Sequence, residues 1–508
     1  MVDKYDVIVI GGGLEGVAHA LGAAQQGARV GLFEARAEFG GRLGQVDPFG
    51  TGEKMPFNPL IWGVGPETFR YLGLRPLELG LVPAPRLTVV GEATSDAAGP
   101  FTFYADHDLT RASLGTRAPF EMERLVALQA ALARAAMAQD ALSEKALDEP
   151  RRRGAFAEDN AAAWAKAFAV LSPNQQRELM RFAVRPCADV LDAYLNDTSL
   201  KLAIEAFALF SHPIGPRAPG SALALLSAPP LMPAHGNRFA MPFLVTEASD
   251  RIHQTFLTQL HDRGVNFEIG CRVVELHVGR GGISHVAMTD GRTVKGTKVI
   301  STLDSKATLL GLVNWKALPA GLARRAGALD IEGSHARIFL KVPERPPAAA
   351  QEMFKGPVYF NLDAADAAAD AWAQNHVPNR PPFEVTVREA TSPVRETHIS
   401  ALAQFIPYAP HQSEWDEMQI ENLVRMLVDE LETIWPGIRQ KVADWAVWLP
   451  KDLEREFGWS RGATAGAPPG LAGGETLAGF IGKETPIAGL SMDRFPRDRT
   501  RREGMPGS

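Results

Sequence analysis

The sequence has few cysteines and no excess of basic residues. Its 508 residues include only two cysteines, Cys187 and Cys271, and no Cys-x-x-Cys motif. The sequence therefore supports neither a redox-active dithiol nor a zinc knuckle, and a reducing, cytoplasmic compartment is the simplest setting. The formal net charge of -6 gives no reason to expect a nucleic-acid partner.

Long apolar runs are also missing. No uninterrupted apolar stretch reaches the roughly 20 residues that span a bilayer, and a strand begins within a few residues of Met1, so we expect no signal peptide. These features favour a cytoplasmic protein whose membrane contact, if any, is peripheral to the inner face of the membrane. The basic cluster Arg151-Arg152-Arg153 would suit anionic lipid, although a solvated loop is the simpler interpretation.

The histidines form no recognisable metal or catalytic motif. They are scattered along the chain without the close spacing of metal ligands, and no Ser-His-Asp arrangement is present. We interpret them as surface or core residues, and we predict no metal site and no particular catalytic residue. The scattered set includes His212, His235, His253, His261 and His285.

The most informative stretch of the sequence is its beginning. Residues 5–16 read Tyr-Asp-Val-Ile-Val-Ile-Gly-Gly-Gly-Leu-Glu-Gly, an apolar strand that ends in glycines. Gly11, Gly13 and Gly16 match the dinucleotide fingerprint Gly-x-Gly-x-x-Gly. The first glycine permits a sharp turn, the second lets the backbone approach a pyrophosphate, and the third lets the following helix pack on the strand. The N-terminus of that helix offers free N–H groups to phosphate.

The residues that follow strengthen this interpretation. Apolar residues at helical spacing predict a helix over 17–26, which Gly27 ends, and a second strand is predicted over 29–33. Glu34 comes directly after that strand, about 20 residues past the glycines, where an acid accepts hydrogen bonds from ribose hydroxyls. Strand, turn, helix, strand and acid are thus in the order of a dinucleotide site.

A second glycine turn, Gly40-Gly41-Arg42, follows Glu34 after a short interval. Such a turn favours an anion, and the arginine can bond phosphate in a forked geometry. The combination resembles the FAD-binding start of the amine oxidase and phytoene desaturase superfamily, in which the FAD pyrophosphate lies between the two turns. The resemblance implies a cofactor-binding set of Gly11, Gly13, Leu14, Glu15, Gly16, Glu34, Ala35, Gly41 and Arg42, with the backbone of Val273 against the adenine. From the residues alone, Val273 would be a core strand residue.

Later passages resemble one subgroup of that superfamily. Residues 66–74, 79–83, 450–458 and 485–490 are similar to the subgroup of bacterial phytoene desaturase-like oxidoreductases and pyridine nucleotide-disulphide oxidoreductase domain-containing protein 2. Two passages differ from it. Residues 238–244 lack a double glycine, and residues 491–508 lack the Pro-Gly-Gly-Gly turn and last helix that hold the flavin ring.

The expected fold is α/β, with a Rossmann-like FAD-binding domain that is discontinuous in sequence and an α+β substrate domain that carries a helical insertion. Residues 415–435 show the clearest amphipathic helical pattern. The predicted order is a first FAD-binding segment (1–85), a helical cap over the substrate (86–240), a second FAD-binding segment (241–312), a substrate-domain sheet and helix (313–440), and a third FAD-binding segment with a degenerate tail (441–508).

Two functions remain from the sequence. The first is an FAD-dependent oxidoreductase, a dehydrogenase, desaturase or isomerase, that acts on a small apolar, isoprenoid-like substrate. The second is a redox-inactive flavoprotein-like subunit that binds FAD partially or completes its site with a partner chain. The intact fingerprint favours the first, and the altered passages at 238–244 and 491–508 favour the second.

Overall fold

A computed structural model describes residues 4–61, 69, 72–91, 100–153, 160–210, 212–228, 231, 238–246, 250–279, 282–314, 316–318, 320–329, 331–389, 396–463 and 490–492. Within these ranges, no helix is both long enough and apolar enough to cross a membrane. The strands are β1 (Lys4–Ile10), β2 (Val30–Phe33), β3 (Gln45–Val46), β4 (Met55–Pro56), β5 (Leu60–Ile61), β6 (Leu81–Pro83), β7 (Arg86–Val90), β8 (Phe101–Tyr104), β9 (Phe243–Val245), β10 (Asn266–Glu268), β11 (Val273–Gly279), β12 (Gly282–Met288), β13 (Thr293–Ser301), β14 (His335–Val342), β15 (Val358–Phe360), β16 (Phe383–Glu389), β17 (Thr397–Gln404), β18 (Asp444–Trp448) and β19 (Leu490–Met492).

Helices connect and cover these strands. The α-helices span Leu14–Gln25, His107–Leu114, Ala118–Arg153, Asn160–Ala169, Pro173–Ala183, Cys187–Tyr194, Thr198–Leu209, Asp250–Asp262, Ala320–Gly327, Ala348–Met353, Ala365–Ala373, Glu417–Glu432 and Pro450–Phe457. The amphipathic helix predicted over 415–435 is confirmed as Glu417–Glu432. Asp416 caps it by accepting a hydrogen bond from the backbone N–H of Gln419 at 2.7 Å.

The first sheet has the parallel core of a Rossmann-like fold. Its order is β10-β2-β1-β13-β12-β11, and β19 also pairs with β13. The pairs β10/β2, β2/β1, β1/β13 and β13/β19 are parallel, whereas β11, β12 and β13 form an antiparallel meander. Strand β1 is central, and its last three residues are buried. Its nearly continuous apolar sequence is typical of a parallel strand that is covered on both faces.

The helix Leu14–Gln25 covers one face of this sheet. Val17, Ala18 and Leu21 are fully buried and share a cluster with Val9 and Leu32 of the strands. Burial of a side chain such as Leu21 contributes roughly 1.5–3 kcal/mol. This packing fixes the start of the helix next to the end of β1, where the glycine turn lies.

The second sheet is largely antiparallel, in the order β18-β14-β17-β16-β15-β7-β8, with β15 and β7 as its parallel pair. One face packs against the helix Glu417–Glu432, whose Leu423, Leu427 and Leu431 share a buried cluster with Ile338 and Val385 of the sheet. The other face, here called the inner face, packs against the helices that lie between residues 107 and 209. Mixed α/β architecture with two such sheets confirms the predicted fold class.

The predicted segments are distributed over both sheets. Strands β7 and β8, which lie in the predicted helical cap, pair with each other, and β7 also pairs with β15 in the second sheet. Strand β18, in the predicted third FAD-binding segment, is an edge strand of the second sheet. Strand β19 continues the first sheet, so the last segment contributes to both. Residues 493–508 and most of 62–71 lie outside the described residues.

Polar contacts join the two sheets and their connections. Ser460 donates from its N and Oγ atoms to the carboxylate of Asp304, at 2.9 and 2.8 Å. Arg337, on the inner face, donates from Nη2 to Oδ1 of Asn58 at 2.7 Å. The bonds of Ser460 connect the segment after the helix Pro450–Phe457 with the residues that follow β13, and the bond of Arg337 connects β14 with the residues that follow β4. These bonds hold the end of the first sheet close to the second sheet.

Candidate cofactor-binding site

The first glycine turn lies where β1, β2 and β13 end together. Gly11 has φ of 101° and donates its N–H to the Phe33 carbonyl oxygen at 2.9 Å. Thr302, just past β13, donates from N and Oγ1 to the Ile10 oxygen, both at 3.0 Å. A Cβ atom on Gly11 would lie 2.4 Å from Thr302 Oγ1, so the turn requires glycine there.

The start of the first helix is shaped by two further glycines. A Cβ atom on Gly16 would lie 1.9 Å from the Gly11 carbonyl oxygen, which explains the close approach of helix and turn. Gly13 is the N-cap and has no side chain with which to cap the helix. The first turn of a helix has N–H groups that no carbonyl oxygen of the helix accepts, and the helix dipole favours a negative charge at this end.

The second glycine turn lies directly beside the first. Gly40 donates its N–H to the Gly12 oxygen at 3.0 Å and forms a parallel bridge with Gly13. Gly41 has φ of 55°, and a Cβ atom on it would lie 2.9 Å from the Cα atom of Gly13. The two turns thus form one continuous backbone surface next to the N-terminus of the first helix, where phosphate groups bind in proteins.

Glu34 is held rigidly at the end of β2. It is 8% exposed, and its carboxylate accepts hydrogen bonds from the N–H groups of Gly12 at 2.5 Å and Arg36 at 2.7 Å. Each carboxylate oxygen has a further lone pair that a ribose hydroxyl can use. Ala35, the next residue, is half-buried beside it.

The structure places the segment that leads into Val273 next to Glu34. Gly270 and Cys271 donate their N–H groups to the carbonyl oxygens of Arg36 and Glu34, at 2.7 and 2.8 Å. The segment that leads into Val273 therefore runs alongside the acidic residue. Val273 is buried at the start of β11.

Arg42 is exposed and lies over an aromatic pair at the end of the helix Pro450–Phe457. Its guanidinium carbon is 5.7 Å from the ring centroid of Trp459. Trp459 stacks on Phe457 with 4.4 Å between centroids and 12° between planes, and the Arg36 guanidinium lies 4.5 Å from the Phe457 centroid. Two arginines near the second turn are thus oriented by one aromatic pair.

Sequence reasoning missed several of these neighbours. Gly12 was a variable position of the fingerprint, yet a Cβ atom there would lie 2.2 Å from Phe39 Cδ1. Phe39 in turn donates its N–H to Nδ1 of His253 at 2.9 Å. The triple glycine itself was the signal for Gly12. Nothing local indicated Thr302 or His253, whereas Phe457 lies in the passage 450–458 that resembled the subgroup.

The helices between residues 107 and 209 are here called the helical layer, and polar side chains lie where this layer meets the inner face. Nε2 of His335 bonds the Phe210 oxygen at 2.9 Å, and Nε2 of Gln404 donates to the oxygens of Leu209 and His212 at 3.1 and 2.9 Å. Burial lowers the pKa of both His212 and His335 to about 4, so both are neutral near pH 7, and the positive charge of Arg42 contributes at His212.

The arrangement fits the ADP portion of FAD. Glycines stand wherever a side chain would fill the space between the two turns, and an acid stands where ribose is bound. Gly13, Leu14, Glu15 and Gly41 would hold the pyrophosphate through their backbone, and Glu34 would bind the ribose. FAD, once bound, supplies a ring system that accepts a hydride.

The family comparison agrees with this geometry. Residues 16–471 match the model of the flavin containing amine oxidoreductase family. The chain belongs to this family. It is therefore an FAD-dependent oxidoreductase, and the cofactor and enzyme class predicted from sequence are confirmed. A comparison with curated protein sequences found no match.

Solved structures of an oxidoreductase and of two oxidases share the fold. An oxidoreductase from Methanosarcina mazei is 15% identical with a TM-score of 0.58, and the alignment covers 96% of this chain and 94% of that one. Wild-type putrescine oxidase bound to putrescine is 15% identical with a TM-score of 0.59, covering 96% and 93%. Cyclohexylamine oxidase from Brevibacterium oxydans is 15% identical with a TM-score of 0.56, covering 97% and 92%. At this identity the similarity concerns the fold.

Proposed function

We propose that this flavin-containing oxidoreductase dehydrogenates an apolar organic molecule, as a phytoene desaturase-like enzyme does. The supporting observation is the apolar cluster that covers part of the inner face. Leu87, Val89 and Leu402 of the sheet join this cluster with Leu128 and Phe207 of the helices. These side chains pack against one another, so a substrate bound beside the cluster would contact hydrocarbon, and it would gain about 25 cal/mol for each Å² of apolar surface removed from water.

One polar group at this junction would orient the substrate. Nδ1 of His212 is buried, and the described residues offer it no hydrogen-bond partner. Because the imidazole is neutral near pH 7, it would form a single hydrogen bond with a hydroxyl or carbonyl group rather than pair with an anion. The resemblance of residues 450–458 to the phytoene desaturase-like subgroup also supports an apolar substrate.

An amine is the second candidate, and Glu384 favours it. This carboxylate is buried on the inner face and accepts a hydrogen bond from the Tyr359 hydroxyl at 2.7 Å. A buried carboxylate attracts an ammonium group, and two structural neighbours are oxidases of putrescine and cyclohexylamine by their names. However, a cation of the chain already faces this carboxylate. Burial lowers the pKa of the nearby Arg337 guanidinium, and the negative charge of Glu384 acts against that decrease.

The test is anaerobic reduction of the purified protein. After reconstitution with FAD, the flavin absorbance band is followed while an isoprenoid polyene that carries a hydroxyl group, in detergent micelles, putrescine or cyclohexylamine is added. We expect the polyene to bleach the band and the amines to leave it unchanged. Bleaching by amines alone would replace the first proposal with the second.

The same experiment tests the alternative from sequence. A colourless protein that does not take up added FAD would indicate a subunit that completes its site with a partner chain. The Glu34→Gln variant serves as the control, because weakened FAD binding should lower the reducible absorbance in proportion to the lost cofactor. A bleaching signal that is independent of Glu34 would come from a contaminating flavin.

A further inference from the structure

Two carboxylates and one imidazole meet at the end of the inner face that is formed by Lys341 and His398. Glu53 lies in the loop between β3 and β4, Glu396 precedes β17, and His398 is the second residue of β17. The potential ligand atoms of Glu53, Glu396 and His398, here called the Glu53 cluster, all lie within 4.8 Å of one another. Because Glu53 is far from the other two residues in sequence, no sequence motif indicates the cluster.

The imidazole of His398 is buried and aimed into this cluster. Its side chain is 3% exposed, and Nε2 lies 3.6 Å from Glu53 Oε2 and 3.8 Å from Glu396 Oε2. Within the described part of the chain, Nε2 has no hydrogen-bond partner. A buried polar atom without a partner is unfavourable, and such an atom needs an explanation.

A bound metal ion would provide that explanation. We propose that Glu53, Glu396 and His398 bind a zinc ion that links the loop after the second glycine turn to the second sheet. Zinc takes imidazole nitrogen and carboxylate oxygen ligands at about 2.0–2.2 Å, which in a tetrahedron puts neighbouring ligand atoms about 3.3–3.6 Å apart. The separations of Nε2 from the two carboxylates are 3.6 and 3.8 Å, and all three ligand atoms lie within 4.8 Å of one another, so side-chain rotations would bring the three ligands to the ion. Water would complete the coordination.

Glu53, the ligand from the first part of the chain, has a fixed position. The loop that carries Glu53 is ordered by Asp47, whose carboxylate accepts hydrogen bonds from the N–H groups of Thr51 at 3.1 Å and Gly52 at 2.6 Å. Glu53 is therefore positioned before the ion binds.

Lys341 competes with the ion for the two carboxylates. Its Nζ atom is 3.2 Å from Glu396 and 3.8 Å from Glu53, and its side chain is 23% exposed. The lysine neutralises part of the negative charge when no ion is present, and its flexible side chain reaches solvent when zinc enters. Removal of this ammonium group should therefore strengthen zinc binding, whereas a simple ion-pair network would gain nothing from its removal.

Zinc affinity of the full-length, chelator-stripped protein tests the site. Zinc is titrated against a chromophoric chelator for the wild type and for the variants His398→Gln, Glu396→Gln and Lys341→Met. We expect one zinc per chain, affinity reduced at least about tenfold by His398→Gln and by Glu396→Gln, and increased severalfold by Lys341→Met. Zinc should also raise the thermal unfolding temperature of the wild type but not of His398→Gln.

His285→Ala is the matched control. His285 stacks on His277 with 3.9 Å between ring centroids, and His277 Nε2 lies 3.5 Å from Glu275, so this strand surface could bind zinc adventitiously. We expect His285→Ala to retain wild-type zinc affinity. Wild-type affinity in both His398→Gln and Glu396→Gln, or loss of binding in His285→Ala, would overturn the proposal. The measurement needs neither FAD nor substrate, so its result is independent of the proposed reaction.

Discussion

Gly41 and Gly13 contact each other through their backbones, because a Cβ atom on Gly41 would lie only 2.9 Å from the Cα atom of Gly13. Gly40 strengthens this contact by donating a hydrogen bond to the Gly12 oxygen at 3.0 Å. Two turns that follow different strands thus become one surface. The affinity of this flavin-containing oxidoreductase for FAD should depend directly on that contact.

Gly41→Ala should therefore weaken FAD binding by about tenfold or more. Alanine at a φ of 55° is strained by roughly 1–2 kcal/mol, and its methyl group would push the second turn away from Gly13. Titration of the apoprotein with FAD, followed by quenching of flavin fluorescence, measures the change. Gly321→Ala is the control, since a Cβ there meets nothing within 4 Å and lies in a helix. Equal affinities in the two variants would contradict the prediction.

Glu34→Gln should weaken FAD binding by roughly 10- to 100-fold. The amide loses the negative charge that strengthens hydrogen bonds from ribose, a difference of about 1.5–3 kcal/mol. The carboxylate of Glu34 also accepts hydrogen bonds from the backbone N–H groups of Gly12 and Arg36. Because a glutamine side chain has only one oxygen, one of these two N–H groups would face the amide NH2 group instead. The control is Glu38→Gln on the same loop, where the carboxylate pairs with Lys54. Calorimetric titration with FAD should show wild-type affinity for that control.

The stability of the protein should fall as the pH falls from 6.5 towards 4, in part because of His335. Burial, helped by the charge of Arg337, lowers the pKa of His335 from 6.5 to about 4. Between these values the unfolded chain binds a proton that the folded chain does not, so the free energy of unfolding rises with pH across this window. The contribution of His335 is fully lost below the folded pKa and amounts to at most about 3 kcal/mol.

His335→Gln should reduce this pH dependence. Glutamine keeps an N–H donor for the Phe210 oxygen but does not titrate. Urea unfolding at several pH values gives the slope for the wild type, for His335→Gln and for His376→Gln, a control at a less buried position. A wild-type slope in His335→Gln would show that other groups, such as His212, account for the acid sensitivity.

Tyr359→Phe should lower the free energy of unfolding by about 1–3 kcal/mol. The Tyr359 hydroxyl donates to Glu384 at 2.7 Å, and both residues are buried, so the variant leaves the carboxylate without this donor where water is excluded. Tyr408→Phe is the matched control. Its hydroxyl donates to Glu454 at 2.5 Å in a more exposed position, where water can replace it. Urea unfolding should show a smaller loss for Tyr408→Phe, and an equal loss would contradict the role of burial.

The sequence alone determined the features of the site that are close together along the chain. Gly11, Gly13, Gly16 and Glu34 belong to one strand-turn-helix-strand unit, so spacing and residue type suffice to predict their arrangement. The helix Glu417–Glu432 was predictable for the same reason, because its apolar residues recur at helical spacing. These features depend on local geometry, which the order of residues expresses directly.

Only the tertiary structure decided which distant residues meet. Thr302 closes on Gly11, Trp459 lies against Arg42, and His398 faces Glu53 because the sheets bring these segments together. Strand β18 likewise joins the second sheet through its pairing with β14. Such contacts depend on which apolar faces cover each other and on the register of distant strands. The free energy of that packing is a property of the whole folded chain, and no short stretch of sequence records it.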